Sequence, residues 1–292
     1  MSSAVHRAVV AARVPRFLGR WHNSAIVFSY HNVVADNGTC GERVLHVPQP
    51  EFRDQIERIA RRFRPVALGE LLERHRAGRS LRGLVAVTFD DGYRGVLRHA
   101  LPVLAEFGVP ATIFVIAGAL DRHEPFWWDR LADMAGGAVP RREHLLEALG
   151  GDEQRILDAH PSLPRDWSDD YLPATAQELV AIDRSWVALA PHTLTHPNLT
   201  RVSAERLERE VSGSWQALRE TFDDVLPAFA YPYGLADDVV ASAVAKHGLA
   251  GVGGATGPFA PSSAPERVPR LFVAPGVSAD RLEVLAARLR LR

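Results

Sequence analysis

The chain has 292 residues, of which 47% are hydrophobic and 24% are charged, with a formal net charge of -1 and a pI near 6.9. This composition is sufficient to bury a full core, and α/β barrels of this size commonly form one domain. The balanced charge gives no attraction to polyanions, so nucleic acid is not an expected partner. Cys40 is the only cysteine, which excludes an intrachain disulfide and a zinc ribbon.

The first 24 residues form a basic segment in which arginines interrupt every short apolar group. A secretory signal needs an uninterrupted apolar run of roughly 7–15 residues, and a membrane span needs roughly 18. We therefore expect no cleaved signal, no transmembrane segment and a cytoplasmic protein. The segment is interpreted as a helix packed on the catalytic domain at residues 25–292. Peripheral contact with the inner membrane is the alternative.

Apolar runs typical of strands alternate along the chain with amphipathic stretches typical of helices, which predicts a parallel α/β architecture. The predicted strands are residues 25–30, 65–68, 84–89, 111–116, 186–190, 228–231, 251–253 and 270–273. The predicted helices are residues 50–63, 69–77, 95–107, 204–221, 237–247 and 279–291.

Residues 121–185 interrupt this alternation and are predicted to form an insertion after a central strand. Loops longer than about 12–15 residues are commonly lids or binding loops. Trp127 and Trp128 lie near the start of this segment. Two interpretations are open: these rings stack on sugar, or they anchor the insertion to the barrel.

Two motifs follow predicted strands and carry groups that can bind a metal. Asp90 and Asp91 end one strand before Gly92, and adjacent strand residues point to opposite sides, so the two carboxylates can take different roles. His192 and His196 follow a later strand. Asp91, His192 and His196 would supply the three protein ligands of a typical zinc enzyme, in which a fourth position is left for water.

Together with residues 229–234, the segments 88–92 and 192–196 resemble the motifs of the polysaccharide deacetylases of carbohydrate esterase family 4, the NodB homology domain. The resemblance implies a distorted (β/α) barrel of about seven strands. It also implies a metal-dependent hydrolase that removes N-acetyl groups from amino sugars of a glycan or glycan precursor, with Zn²⁺ or another divalent metal as cofactor. By the same resemblance, Asp90 is the general base and the backbone N-H of Tyr233 binds the oxyanion.

The chain departs from the common family pattern at two positions. Ala230 stands where an arginine usually orients the base, and the late Leu-x-His motif that supplies the general acid is missing. A branch similar to the poly-N-acetylglucosamine deacetylases carries its acid histidine on the first strand, where this chain has His31. We therefore predict His31 as the acid, with a buried structural histidine as the alternative. Arg270 either replaces the missing arginine or forms a plain surface ion pair.

Two other functions are considered beside the deacetylase. The first is a small-molecule amidohydrolase on the same scaffold, whose site would be closed over a small ligand. The second is a non-catalytic glycan-binding module. The presence of both aspartates and both histidines argues against a pure binding module, which would not need a base together with metal ligands.

Overall fold

The computed structural model describes residues 22–35, 40–161 and 166–291, so the interpretation of residues 1–21 as a basic helix lies outside the described residues. The strands are β1 (Ile26–Tyr30), β2 (Asn32–Val34), β3 (His46–Pro48), β4 (Arg64–Pro65), β5 (Leu84–Phe89), β6 (Ala111–Val115), β7 (Val187–Pro191), β8 (Ala228–Ala230), β9 (Ala250–Val252) and β10 (Leu271–Phe272). The α-helices are α1 (Gln49–Arg62), α2 (Leu68–Arg76), α3 (Leu101–Phe107), α4 (Trp127–Met134), α5 (Arg142–Glu147), α6 (Glu153–Ala159), α7 (Ala176–Val180), α8 (Ala204–Thr221), α9 (Asp238–Lys246) and α10 (Ala279–Leu289).

The main sheet contains six strands, and all of its pairings are parallel. Its order is β10-β1-β5-β6-β7, and β4 pairs with the start of β5. Every residue of β5 is buried, as expected for a strand covered on both faces of a parallel sheet. The predicted parallel α/β architecture is confirmed, and the first strand lies beside the last.

Two further parallel ladders, β2-β3 and β8-β9, lie beside this sheet. Leu189 in β7 forms a single parallel bridge with Val225, which precedes β8. Val252 in β9 forms another with Val268, which precedes β10. Between β7 and β8, and between β9 and β10, the described residues therefore form isolated bridges rather than continuous ladders. Strands β2 and β3 were not predicted, because three residues are too short to show an alternating pattern.

The predicted helix at 95–107 is divided in the structure. Residues Val96–Ala100 form a π-helical turn, and the α-helix begins only at Leu101. Pro102 explains the difference, because it has no N-H to donate and its ring collides with the carbonyl one helical turn earlier. The wider π turn accommodates the proline without ending the helix.

The largest apolar core lies between the sheet and one layer of helices. Helix α1 packs against α3 and α10, and it buries Phe52, Ile56 and Ile59 at the spacing of one helical face. None of the helices within the described ranges is long and apolar enough to cross a membrane.

Helices α4–α7 occupy the segment 121–185, and a buried carboxylate ties this segment to the sheet. Asp129 in α4 is fully buried and accepts hydrogen bonds from the backbone N-H of Glu42 at 2.9 Å and from His46 Nε2 at 2.8 Å. Its second oxygen accepts from the Tyr93 hydroxyl at 2.7 Å, and that hydroxyl accepts from the indole N-H of Trp128 at 2.7 Å. The segment is thus held by polar contacts that water does not reach.

We predict that Asp129→Asn lowers the free energy of unfolding by about 2–3 kcal/mol, because an amide cannot accept from donors on both sides and leaves a buried donor unpaired. Chemical denaturation followed by tryptophan fluorescence measures the change. Asp158→Asn is the matched control, since Asp158 is exposed in α6 of the same segment and should leave the midpoint unchanged. Equal midpoints for the two variants would show that the Asp129 contacts do not stabilise the fold.

Candidate active site

Asp91, His192 and His196 bring three metal-binding atoms together at the carboxyl ends of β5 and β7. All three residues are buried, and one ligand atom from each lies within 4.8 Å of the other two. Asp91 Oδ1 is 3.5 Å from the Nε2 atoms of both histidines, and these two nitrogens are 3.1 Å apart. Asp91 Oδ1 is buried and has no hydrogen-bond partner. Such a group of unsatisfied atoms fits a divalent cation, which would balance the charge and fill the coordination sites.

The outer contacts of the two histidines leave both Nε2 atoms free to act as ligands. His192 Nδ1 donates to the carbonyl of Ala230 at 2.8 Å. His196 Nδ1 lies 3.1 Å from the Tyr233 hydroxyl, which in turn donates to the carbonyl of His196 at 3.1 Å. With the ring protons on Nδ1, each Nε2 presents a lone pair toward Asp91. Hydrogen bonds of this kind orient metal-binding histidines in zinc enzymes.

The surroundings shift the pKa values of the two histidines in opposite directions. Burial lowers the pKa of His192, but the carboxylates of Asp91 and Asp90 outweigh it, so that the pKa lies above its ordinary value. Burial and the neighbouring charge of His192 place the pKa of His196 well below its ordinary value. The cluster therefore resists carrying two positive imidazoles, and at least His196 is in the neutral form that a metal needs.

Left-handed backbone at several non-glycine residues forms this site. Asp91, His196 and Tyr233 have φ values of 69°, 58° and 59°, and Gly92 turns the chain with φ 79°. Residues other than glycine adopt this conformation at a cost of roughly 1–2 kcal/mol, and such residues cluster at functional sites. The surrounding contacts must compensate for this strain.

Glu210 of α8 supplies part of that compensation. Its buried carboxylate accepts from the backbone N-H groups of Leu194 and Thr195, both at 2.9 Å. These two residues lie between the histidines, so Glu210 holds the loop that carries them.

Asp90 forms a buried, two-point ion pair with Arg270. Its oxygens accept from Arg270 Nη1 and Nη2, each at 2.7 Å, and both residues are less than a tenth exposed. Burial by itself raises the pKa of Asp90, but the charge and hydrogen bonds of Arg270 lower it to about 2. Asp90 is therefore ionised at neutral pH, and the alternative of a plain surface ion pair for Arg270 does not describe this contact.

His31 lies immediately after β1, beside Asp90. Tyr30 pairs with Phe89 in the β1-β5 ladder, and the N-H of Asp90 donates to the carbonyl of Tyr30 at 3.0 Å, so the next residue of each strand faces the other. His31 Nε2 is 3.9 Å from Asp90 Oδ2. Burial lowers the pKa of His31, and the charges of Asp91 and Asp90 offset only part of this effect.

One cavity of about 530 Å³ contains all seven predicted site residues. They are His31, Asp90, Asp91, His192, His196, Tyr233 and Arg270. Val44 and Phe272 also line the cavity and are 43% and 42% exposed, so its mouth opens to solvent. The structure thus brings together residues that lie up to 239 positions apart in the chain.

The two tryptophans of the segment 121–185 are both buried, and their contacts support the anchoring interpretation. Trp127 is 2% and Trp128 is 4% exposed. Trp128 also lines the cavity, and its ring centroid is 4.7 Å from that of His196. The indole N-H of Trp128 donates to the Tyr93 hydroxyl, and the ring forms part of the cavity wall.

Sequence reasoning did not identify three contributors to this cavity region. Glu210 lies in an ordinary amphipathic helix, Arg142 lies in a segment without a motif, and the hydroxyl of Tyr233 was not considered beside its backbone N-H. No local pattern marks Glu210 or Arg142. For the Tyr233 hydroxyl, the only available signal was the histidine pair 192/196, which offers it a hydrogen-bond partner.

Comparison with known proteins identifies the family. A family model described as polysaccharide deacetylase matches residues 77–252. A stretch of 92 residues is 32% identical to a poly-beta-1,6-N-acetyl-D-glucosamine N-deacetylase of Escherichia coli (strain K12), and it covers 31% of this chain and 13% of that protein. The chain therefore spans only a small part of that relative.

Solved structures share the fold at lower sequence identity. IcaB from Ammonifex degensii superposes with a TM-score of 0.65 and 21% identity, over 91% of this chain and 97% of that one. The Streptococcus pyogenes deacetylase PplD, solved with acetate, gives a TM-score of 0.65 and 18% identity, over 91% and 99% of the two chains. The family model covers more than half of the 292 residues, and the chain belongs to the polysaccharide deacetylase family.

Proposed function

We propose that this protein is a metal-dependent N-deacetylase that hydrolyses the acetamide of an N-acetylated amino sugar in a glycan or glycan precursor. The observation that carries the proposal is the convergence of a metal-binding triad, an ionised carboxylate and a histidine in one cavity. Family membership and the E. coli relative, named as a poly-N-acetylglucosamine deacetylase, support the same chemistry.

Asp91, His192 and His196 would hold the metal. The donor set of one carboxylate and two imidazoles suits zinc, and it is also accepted by other divalent ions. When bound, a divalent ion polarises the acetamide carbonyl and lowers the pKa of water from about 15.7 toward about 7.

Protein side chains would supply the proton transfers. Asp90, held by Arg270, takes the proton of the attacking water, and the backbone N-H of Tyr233 donates to the oxyanion. His31 donates a proton to the departing amine as the C-N bond breaks. Because His31 is neutral at neutral pH, it must first gain a proton, and the Asp90 carboxylate lies 3.9 Å from its Nε2.

The solvent-open mouth favours a glycan over the rival small-molecule amidohydrolase, whose site would enclose its ligand. The bidentate Arg270–Asp90 pair argues against a non-catalytic binding module, since binding alone does not require an oriented base. The cytoplasmic location and the contact of the basic N-terminal segment with a membrane stay predictions.

We predict that the double variant His192→Ala/His196→Ala loses the tightly bound divalent ion and with it all hydrolysis of N-acetylglucosamine oligomers. Only one of the three ligands remains in this variant. Elemental analysis after extensive dialysis measures the metal, and His123→Ala serves as the control because His123 is exposed and lies outside the residues lining the cavity. One ion per chain retained by the double variant would place the metal elsewhere.

Asp90→Asn should reduce kcat by about 10²–10⁴-fold while metal content stays near that of the unaltered protein, because an amide cannot accept the water proton. Acetate release and elemental analysis on the same preparation test both parts. Loss of the metal together with activity would reverse the roles assigned to Asp90 and Asp91.

His31→Ala should lower kcat on an acetamide substrate by about 10²-fold or more and leave the metal in place. The amine leaves only after protonation, whereas the phenolate of an aryl acetate leaves without it. The same variant should therefore show a much smaller loss of kcat on the aryl acetate. Equal losses on the two substrates, in a variant that is folded by circular dichroism, would remove His31 from the acid role.

A further inference from the structure

Arg142, the first residue of α5, brings a positive charge into the same cavity from the segment 121–185. It is half-buried and lines the same cavity as Tyr233 and His196. The guanidinium thus belongs to the wall of the cavity that holds the candidate reacting groups.

Across residues 22–35, 40–161 and 166–291, no carboxylate forms an ion pair with Arg142, and its side chain makes no hydrogen bond. Two arginines near this segment are paired: Arg122 contacts Glu153, and Arg206 contacts Asp152, each at 2.6 Å. Arg141 and Arg155 form no ion pair with another described residue, but both are exposed and lie outside the cavity. Arg270 is paired with Asp90. Arg142 differs because it lines the cavity while its guanidinium, which carries five N-H donors, has no acceptor among the described protein groups.

With a divalent ion bound, the cavity would carry an excess of positive charge that an anionic ligand could balance. Asp90 is already neutralised by Arg270, which leaves Asp91 as the one unpaired carboxylate among the residues that line the described cavity. A divalent ion held by Asp91 and two imidazoles would leave a net positive site. Adding a guanidinium nearby increases the repulsion, and an anion beside Arg142 would reverse it.

The backbone before Arg142 is also unusual. Arg141 adopts left-handed φ and ψ values of 51° and 38°, one of six non-glycine residues with positive φ among those described. Four of the other five are at the active site: Asp91, Thr193, His196 and Tyr233. This conformation has a free-energy cost for arginine, and it occurs at the position where α5 begins with Arg142 in the cavity.

We propose that Arg142 binds an anionic group, a phosphate or a carboxylate, that the substrate glycan carries next to its N-acetylated sugar. The planar fork of a guanidinium matches both oxyanions in two-point contact. The inference rests on the proposed deacetylase function and adds the substrate class: an acidic glycan rather than a neutral homopolymer.

Two matched substrate pairs test the inference by acetate release with zinc-loaded protein. The carboxylate pair is an oligosaccharide of alternating N-acetylglucosamine and glucuronic acid, compared with its carboxyl-reduced form. The phosphate pair is N-acetylglucosamine 1-phosphate, compared with methyl N-acetylglucosaminide. Arg142→Gln should lower kcat/KM about tenfold for an anionic member, a change worth about 1.4 kcal/mol, and less than about twofold for its neutral partner.

Arg155→Gln is the control, because it removes the same charge from an exposed position of α6 outside the cavity. It should leave both pairs unchanged. Arg142→Lys keeps the charge without the planar fork and should recover part of the loss. The pair that responds identifies the anion as carboxylate or phosphate. An equal loss on anionic and neutral members, or no loss on either, overturns the proposal.

Calorimetric binding to zinc-loaded Asp90→Asn, with and without Arg142→Gln, separates this inference from the proposed function. The deacetylase proposal fails if the unaltered protein hydrolyses none of the substrates. The anion site still stands in that case if removal of the Arg142 guanidinium weakens binding of an anionic oligosaccharide about tenfold. If the anionic members bind no more tightly than their neutral partners, the anion site is overturned, whatever the turnover.

Discussion

The parallel pairing of β1 between β10 and β5 is the constraint on which the candidate site depends. Parallel strands end at the same edge of a sheet, so residues that follow them meet there. The register of Tyr30 opposite Phe89 places His31 beside Asp90. Arg270 immediately precedes β10, and its long side chain reaches Asp90 across β1. A shift of one residue in either ladder would turn these side chains away from one another.

The ion pair between Asp90 and Arg270 illustrates how this geometry becomes chemistry. Moving two charges out of water costs several kcal/mol each, and only a well-oriented contact offsets that cost. The pair is bidentate and buried, so it keeps the Asp90 carboxylate charged and in a fixed orientation although the side chain is shielded from water. The common family arginine is absent at Ala230, and Arg270, the residue before the last strand, makes this contact.

The segment 121–185 acts on the site through a chain of buried contacts. Asp129 holds the Tyr93 hydroxyl, which holds the indole of Trp128, whose ring lies against His196. The same segment places Arg142 in the cavity wall. The strand ends thus carry the proposed reacting groups, while this segment shapes the wall that a substrate contacts.

The sequence by itself predicted the parallel α/β architecture, the positions of its main strands along the chain and the candidate ligands Asp91, His192 and His196, because these depend on local periodicity and short motifs. It left Arg270 open between two roles and gave no sign of Glu210 or Arg142. Those residues are separated from their partners by many positions and lie in segments without a pattern. Only the tertiary structure could decide them, since strand register and helix packing bring distant side chains into contact.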